Sequence, residues 1–318
     1  MTTLSAQRDV FGDTMIELCN RDPRVVLVDG DLANSTKSEK LAAARPDRFF
    51  MMGIAEQNLA GVASGLAAVG LKPWVASFAA FLATRDLDQV RVVIAQPKMN
   101  VKLAAHYSGI LTGYTGKTHQ VVNDIAIMRT MPNMAVVAPC DAIEARAAIL
   151  ALNEYVGPAY LRLTRDPMPT IMPHDYVFEL GRAIELRRGT DVGILSTGAQ
   201  TLRVLDAADL LAREQVSVSV LHVPTIKPLD EEAILFTART TRCMLTCEEH
   251  SMLGGLGGAV AEVLSDRHPT RLGRLGLQDV DGESGPNDAL IQKYGLSSEH
   301  VAQRARALLA AAGISSTM

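Results

Sequence analysis

The 318-residue sequence is poor in aromatic side chains and cysteine, carries little net charge and has no long apolar run. Aromatic residues make up 4% of it, and the formal net charge is −4, with lysine and arginine spread along the chain. This distribution argues against nucleic-acid binding. The four cysteines are too few for a disulfide-stapled secreted fold, and they lack the paired spacing of a zinc site.

The polar N-terminal segment is unlike a signal peptide, and no apolar run reaches the length of about eighteen residues that a membrane helix needs. We therefore expect a cytosolic protein that does not bind membranes and whose substrate is a small molecule. Hydrophobic residues make up 48% of the sequence, which is enough at this length to build the cores of two domains.

Short apolar runs alternate with helical patterns along the whole chain. The alternation predicts an α/β protein with mostly parallel sheets covered on both faces. A proline-containing stretch without periodicity, Pro167–Gly181, interrupts the rhythm. We expect two doubly wound domains, a larger one at 1–170 and a smaller one at 188–318, joined by a linker at 171–187.

The predicted strands and helices place polar residues after several strands, where open α/β sheets bind ligands. The predicted strands are Val25–Val28, Pro73–Ala76, Asn100–Ala105, Ala135–Ala138, Pro158–Leu161, Val192–Leu195, Val216–Val223 and Cys243–Cys247. The predicted helices are Val10–Cys19, Asn58–Val69, Asp86–Ala95 and Gln200–Ala212.

Glu56 stands at the start of a predicted helix among small and apolar residues. One interpretation is an ordinary first-turn acid that interacts favourably with the helix dipole. The other is a buried carboxyl group able to hold or pass a proton. Periodicity does not choose between the two.

His106 and His119 flank a glycine-containing loop that follows a predicted strand. They could converge on one pocket as hydrogen-bond donors to a polar substrate, or they could be surface loop residues. A metal site is the weakest alternative, because no carboxylate or cysteine stands at ligand spacing.

Three further features of the sequence, a phenylalanine pair, an arginine and a glycine run, each have a functional and a structural interpretation. Phe78 and Phe81 form either core packing or an apolar wall for a ring ligand, with Arg85 next to them. Arg165 suits a phosphate or carboxylate, or a surface ion pair. The glycine run at 254–258 lacks the lysine of a phosphate loop, so it predicts a tight turn that opens a helix.

Taken in order, these segments resemble the pyrimidine-binding and C-terminal domains of the transketolase family, which includes 1-deoxyxylulose-5-phosphate synthase. The resemblance runs from about Arg8 to Ala310. The segments that carry it are Asp29–Leu32, Phe49–Gln57, Phe78–Arg85, Gly116–Gln120, Arg129–Asn133 and Glu248–Ser251.

The resemblance implies that thiamine diphosphate is the cofactor. Glu56 would then meet N1′ of the aminopyrimidine and take part in the proton relay that activates it. Phe78, Phe81 and Arg85 would line the cofactor site. His106 and His119 would bind substrate oxygens during proton transfer.

The resemblance also assigns a substrate-binding role to Arg165, with Arg8 and Ser35 at further positions where the family holds a sugar phosphate. Where transketolases have an acidic residue and a proline before Thr-His-Gln, this chain has Tyr114–Lys117. This difference predicts an altered contact to the sugar hydroxyl groups.

The family's diphosphate-binding domain has a Gly-Asp-Gly motif that holds Mg²⁺, and the nearest match here, at 29–31, has the order Asp-Gly-Asp. We therefore expect no metal site in this chain. A partner subunit would bind the diphosphate and Mg²⁺, and a heterotetramer is expected. The alternatives are the beta subunit of a 2-oxo-acid dehydrogenase decarboxylase and a non-catalytic regulatory homologue.

Overall fold

The computed structural model describes residues 4–313. The strands of this range are β1 Leu4–Ser5, β2 Val25–Asp29, β3 Phe49–Met51, β4 Lys72–Phe78, β5 Lys102–His106, β6 Ala135–Val137, β7 Ala159–Arg162, β8 Met168–Pro169, β9 Ile184–Arg187, β10 Val192–Ser196, β11 Val218–His222, β12 Thr225–Lys227, β13 Cys243–Ser251 and β14 Leu272–Leu277.

The α-helices of the described range alternate with these strands. They are α1 Gln7–Arg21, α2 Ala33–Thr36, α3 Glu39–Ala44, α4 Glu56–Ala68, α5 Ala79–Thr84, α6 Leu87–Gln89, α7 Asp124–Thr130, α8 Ala142–Glu154, α9 Gln200–Arg213, α10 Glu231–Thr240, α11 Leu256–Arg267, α12 Asn287–Lys293 and α13 Ser298–Ala311. Short 3₁₀-helices span Pro46–Arg48 and Gly113–Thr115, and a π-helix spans Val90–Ala95.

The first half of the chain builds most of a seven-stranded sheet with the order β12-β6-β7-β5-β4-β2-β3. Every neighbouring pair is parallel except β12 with β6. The strands β2, β5 and β7 are buried along their whole length, as the continuous apolar run of β2 predicts for a sheet covered on both faces. The expected α/β class with mostly parallel sheets is confirmed.

The second half forms a five-stranded sheet with the order β14-β13-β10-β11-β9, in which only β9 is antiparallel to its neighbour. Its α9 is amphipathic, with Val204, Ala207, Ala208 and Leu211 on its buried side. This sheet and its helices form a second apolar core. The glycine run at 254–258 opens α11, as the sequence predicted.

Three details differ from the sequence-based expectations. The strand β12 lies in the second half of the chain, but it pairs with β6 and so extends the sheet of the first half. The predicted helix Asp86–Ala95 divides into α6 and the π-helix. The predicted first domain ends in β8, close to the linker, and this strand pairs with β1 at the other end of that domain.

None of the helices within residues 4–313 is both long and apolar enough to cross a membrane. The outer ends of the two predicted domains, residues 1–3 and 314–318, lie outside the described residues.

Candidate cofactor and substrate site

The polar groups predicted from sequence gather near the carboxyl ends of the central parallel strands. Phe78 ends β4 and His106 ends β5, and the two are register partners. Arg165 follows β7 by three residues, and Glu56 opens α4 after β3. Because neighbouring parallel strands end at one edge of the sheet, the loops after them share one side of the domain.

Glu56 is a buried carboxylate with only one of its two oxygens paired. The side chain is 1% exposed, and Oε2 accepts a hydrogen bond of 2.8 Å from Arg85 Nη1. Oε1 is buried and has no hydrogen-bond partner among residues 4–313. A buried oxygen without a partner is costly, so Oε1 is suited to meet a group from a ligand.

Arg85 links this carboxylate to the aromatic residues beside it. Its guanidinium carbon lies 4.1 Å from the centre of the Phe81 ring, and its backbone oxygen accepts from Gln57 Nε2 at 3.2 Å. The cation is 45% exposed, whereas its carboxylate partner is buried. Arg85 therefore covers the outer side of the pair.

Asp86 is a second buried carboxyl group in this region, and sequence reasoning missed it. Both of its oxygens are buried, and neither has a hydrogen-bond partner in the part of the chain that the structure describes. Burial raises the pKa of Asp86 well above its usual value, and the nearby charge of Glu56 adds to the rise. The only sequence signal was an acid directly after Arg85 at the start of an apolar segment.

The aromatic side chains form a cluster around Phe78. Tyr107 stacks on Phe78 with a centroid distance of 4.2 Å, and Phe81 lies 5.7 Å from Phe78. The His119 ring contacts Phe78 at 5.8 Å and Phe81 at 5.5 Å, both edge-on. The structure thus brings His119 together with both predicted phenylalanines in one wall of flat side chains.

His106 occupies a different environment from His119. Its ring is fully buried and meets Phe11 of α1 edge-on at 4.7 Å. Burial, reinforced by the charge of Arg8, lowers the pKa of His106 to about 3, so the imidazole is neutral at physiological pH. The two predicted histidines therefore contact different aromatic residues.

Two arginines meet at Tyr107. Arg8 donates from Nη1 to the Tyr107 hydroxyl at 3.0 Å and to the backbone oxygen of Ser35 at 3.4 Å. The Arg165 guanidinium carbon lies 5.4 Å from the centre of the Tyr107 ring and pairs with Asp166. The structure therefore brings together the three residues predicted for substrate binding.

A cleft of about 370 Å³ lies next to Arg165, between the 3₁₀-helix Gly113–Thr115 and the start of α12. The loop Tyr114–Lys117 forms part of its edge, and the Tyr114 side chain is 78% exposed. Asn287 bridges the two sides by donating to Leu111 O at 3.2 Å and to Asp166 Oδ2 at 2.6 Å. The unusual loop thus lies beside Arg165.

Buried ionic groups that the sequence did not indicate connect the two halves of the chain. Arg162 pairs with Asp124 at 2.9 Å and donates to the backbone oxygen of Glu249 at 3.0 Å. Glu249 Oε1 in turn accepts from the backbone of Ile110 and Leu111 at 2.6 and 3.0 Å. Arg162 is therefore part of the contact between the halves rather than of an open site.

A second buried contact between the halves joins Glu144 of α8 to His222 of β11. Glu144 Oε2 accepts from His222 Nε2 at 2.8 Å and from Cys140 N at 2.7 Å, and Oε1 accepts from Tyr176 at 3.2 Å. The Cys140 sulfur, a Glu144 oxygen and a His222 nitrogen lie within 4.8 Å of one another. Hydrogen bonds already occupy these carboxylate and imidazole atoms. We therefore interpret the cluster as a structural contact between the halves, the Glu144–His222 contact.

The mostly parallel sheet, with a buried carboxylate at the mouth of α4 and an aromatic wall beside it, places the chain in the class of α/β proteins whose polar groups gather beyond the carboxyl ends of the strands. The pyrimidine-binding domain of transketolase matches residues 5–170, and the transketolase C-terminal domain matches 181–301. The chain belongs to the transketolase family.

Several similar proteins are subunits of about the same length as this chain. The 6-deoxy-6-sulfo-D-fructose transketolase subunit of Clostridium sp. (strain MSTE9) is 40% identical, over 94% of this chain and 92% of its own. A subunit of the apulose-4-phosphate transketolase of Phocaeicola vulgatus is 36% identical, over 94% and 96%. A split-gene transketolase solved as an inactive beta4 tetramer is 43% identical, with a TM-score of 0.90, over 96% and 98%.

Members of this family use thiamine diphosphate, and the residues present fit the pyrimidine end of that cofactor. The unpartnered Oε1 of Glu56 provides a buried polar atom for a ring nitrogen. Phe78 and Phe81 provide an apolar wall for the ring itself.

Proposed function

We propose that this chain is the pyrimidine-side subunit of a split transketolase that moves a two-carbon ketol unit between sugar or sugar-phosphate substrates. The observation that carries the proposal is the free, buried Oε1 of Glu56 beside the aromatic wall. When bound, thiamine diphosphate supplies the electron sink that carbon–carbon cleavage requires.

Glu56 holds the proton at the pyrimidine ring, and Arg85 fixes its other oxygen. Phe78 and Phe81 orient the ring and keep water from it. These roles agree with the contacts of the side chains, because Arg85 touches both the carboxylate and the Phe81 ring.

On the substrate side, His119 binds substrate oxygens from its place against the two phenylalanine rings. His106 is neutral and has no hydrogen-bond partner on either ring nitrogen among the described residues, so each nitrogen is free to meet a polar group. Arg165, Arg8 and Ser35 hold an anionic group of the substrate.

A partner subunit supplies the diphosphate and Mg²⁺ site, and the complex is a heterotetramer in the cytoplasm. In support of a partner, apolar side chains close to Glu56 in the sequence are exposed: Phe50 by 36%, Met51 by 42% and Ile54 by 74%. Exposed apolar groups around a site commonly mark an interface. The relatives from Clostridium sp. and Phocaeicola vulgatus are also named as transketolase subunits.

The proposal is tested by assaying ketol transfer with the purified chain alone and after adding a diphosphate-domain subunit from the same genome. Both reactions contain thiamine diphosphate and Mg²⁺. We expect activity only in the mixture, and none when the chain carries Glu56→Gln. Full activity of the chain alone would refute the partner, and an inactive mixture would favour a regulatory homologue.

A further inference from the structure

Tyr107 occupies a backbone conformation that aromatic residues rarely adopt. Its φ angle is 59°, in the left-handed region, directly after β5. Bulky side chains are disfavoured there, and such strain persists where the surrounding structure holds it in place. The contacts of Tyr107 and its neighbours must therefore maintain this turn.

The residues after Tyr107 fix the turn to the neighbouring strand. Ser108 donates to the backbone oxygen of Leu163 from its N at 3.1 Å and from its Oγ at 2.9 Å. Leu163 stands two residues before Arg165. The loop that carries Tyr107 and the loop that carries Arg165 are therefore tied together.

The turn directs the Tyr107 ring into a crowded position. The ring is 5% exposed and stacks on Phe78 with an interplanar angle of 21°. The guanidinium carbons of Arg8 and Arg165 lie 5.9 and 5.4 Å from its centre. One phenol thus contacts the aromatic wall and two cations at once.

The two cations differ in their other partners. Arg165 pairs with Asp166, whereas Arg8 forms no ion pair with a described residue, and its Nε is buried without a partner. Bringing two like charges to one ring is unfavourable unless an anion joins them. The uncompensated charge of Arg8 therefore points to an anionic ligand.

We propose that Tyr107 is a positioning residue that holds Arg8 and Arg165 as a pair for one anionic group of the substrate. Its hydroxyl fixes Arg8, its ring attracts both guanidinium groups, and its contact with Phe78 sets their position relative to the cofactor wall. This inference rests on the proposed function in that the anion is the phosphate, or a comparable group, of the sugar.

The test measures inorganic phosphate binding to the full chain by calorimetry. Tyr107→Phe removes only the hydroxyl, which accepts from Arg8 and also interacts with Arg165, and we expect about tenfold weaker binding, as for the loss of a hydrogen bond to a charged group. Tyr107→Leu also removes the aromatic ring and should weaken binding further. Tyr155→Phe is the matched control, because the cation beside that ring is Lys102, at 5.4 Å from its centre, rather than either arginine. Its affinity should equal that of the unaltered chain.

The same variants are then assayed with the partner subunit. Tyr107→Phe should raise KM for a phosphorylated sugar about tenfold and leave kcat unchanged, a split that a general loss of structure would not produce. Phosphate affinity unchanged in Tyr107→Phe, or no phosphate binding by the unaltered chain, would overturn the inference. If the chain and the partner subunit together show no activity, but the Tyr107 variants weaken phosphate binding as expected, the proposed function is refuted and the role of Tyr107 is supported.

Discussion

Two buried glutamates, Glu56 and Glu144, have the same setting and different partners. Each lies in the first turn of a thirteen-residue helix, α4 or α8, and each is at most 1% exposed. Both are placed favourably for the helix dipole. Among the described residues, one oxygen of Glu56 has no hydrogen-bond partner, whereas both oxygens of Glu144 accept hydrogen bonds.

The difference separates a carboxylate suited to ligand chemistry from one that holds the structure together. Burial and helix position are the same for the two, so neither property distinguishes their roles. What distinguishes them is whether the chain itself satisfies the buried oxygens. Glu144 stabilises the contact between the halves, and Glu56 needs a ligand to complete its hydrogen bonds.

The largest expected effect is on chemistry at Glu56. Glu56→Gln should slow hydrogen exchange at the thiazolium carbon of the bound cofactor at least about 100-fold, the lower end of the contribution of a positioned acid or base. The measurement is exchange in the reconstituted complex, followed by NMR. The urea midpoint of the chain should change little, because glutamine keeps the volume of the side chain. Unchanged exchange would remove Glu56 from the relay.

The next largest effect is expected on the stability that the Glu144–His222 contact provides. His222→Ala should lower the free energy of unfolding by about 3 kcal/mol, because it leaves a buried carboxylate without its main partner. Urea unfolding measures the loss. The control is Glu262→Gln, which removes a carboxylate that is 67% exposed from its pair with Arg129 and should cost less than about 1 kcal/mol. Similar losses in both variants would contradict the distinction.

A smaller effect is expected on how the free energy of unfolding changes as pH falls. Burial alone would raise the pKa of Glu144, but the charge and hydrogen bond of His222 and the backbone of Cys140 outweigh it, so the pKa is lowered from 4.5. A lowered folded-state pKa adds stability above pH 4.5 that is lost as pH falls through the folded value. From about pH 6 down to about pH 3, urea unfolding of Glu144→Gln should therefore lose less stability than the unaltered chain. Parallel pH curves would argue against the lowered pKa of Glu144.

The smallest effect, of opposite sign, is expected at Asp86. Its pKa is raised from 3.8, so its contribution to stability is complete below that pH and is lost as pH rises towards the folded value. Asp86→Asn cannot ionise, so the variant does not lose stability in this way as pH rises. The variant should therefore gain about 1 kcal/mol relative to the unaltered chain between about pH 4 and about pH 7, measured by urea unfolding. A relative loss at neutral pH would show that the charged carboxylate is needed.

The alternation of strands and helices was enough to predict the α/β class, since strands such as β2 and β5 are continuous buried runs. The resemblance also pointed to residues that the structure brings together, such as His119 with the Phe78 ring and Arg8 with the backbone oxygen of Ser35. Strand and helix patterns predict the fold class because each depends on nearby residues, whereas these groupings of distant residues were indicated only by the family resemblance.

Contacts between distant segments were not predictable in the same way. Glu144 and His222 are 78 residues apart, and neither has a local pattern that indicates the other. The position of β12 was missed because three residues give no periodicity. Tyr107 lies in a segment that was identified, but its role depends on a backbone angle that the sequence does not display.

The pairing of β12 with β6 has a practical consequence for cutting this chain into pieces. A fragment ending at residue 170 would lack β12 and expose the hydrogen-bonding edge of β6. Bare edges of this kind recruit other strands and promote aggregation. Cleavage in the segment between the halves should instead leave two fragments that co-purify, since the β-ladder and the buried Glu144–His222 contact both survive the cut.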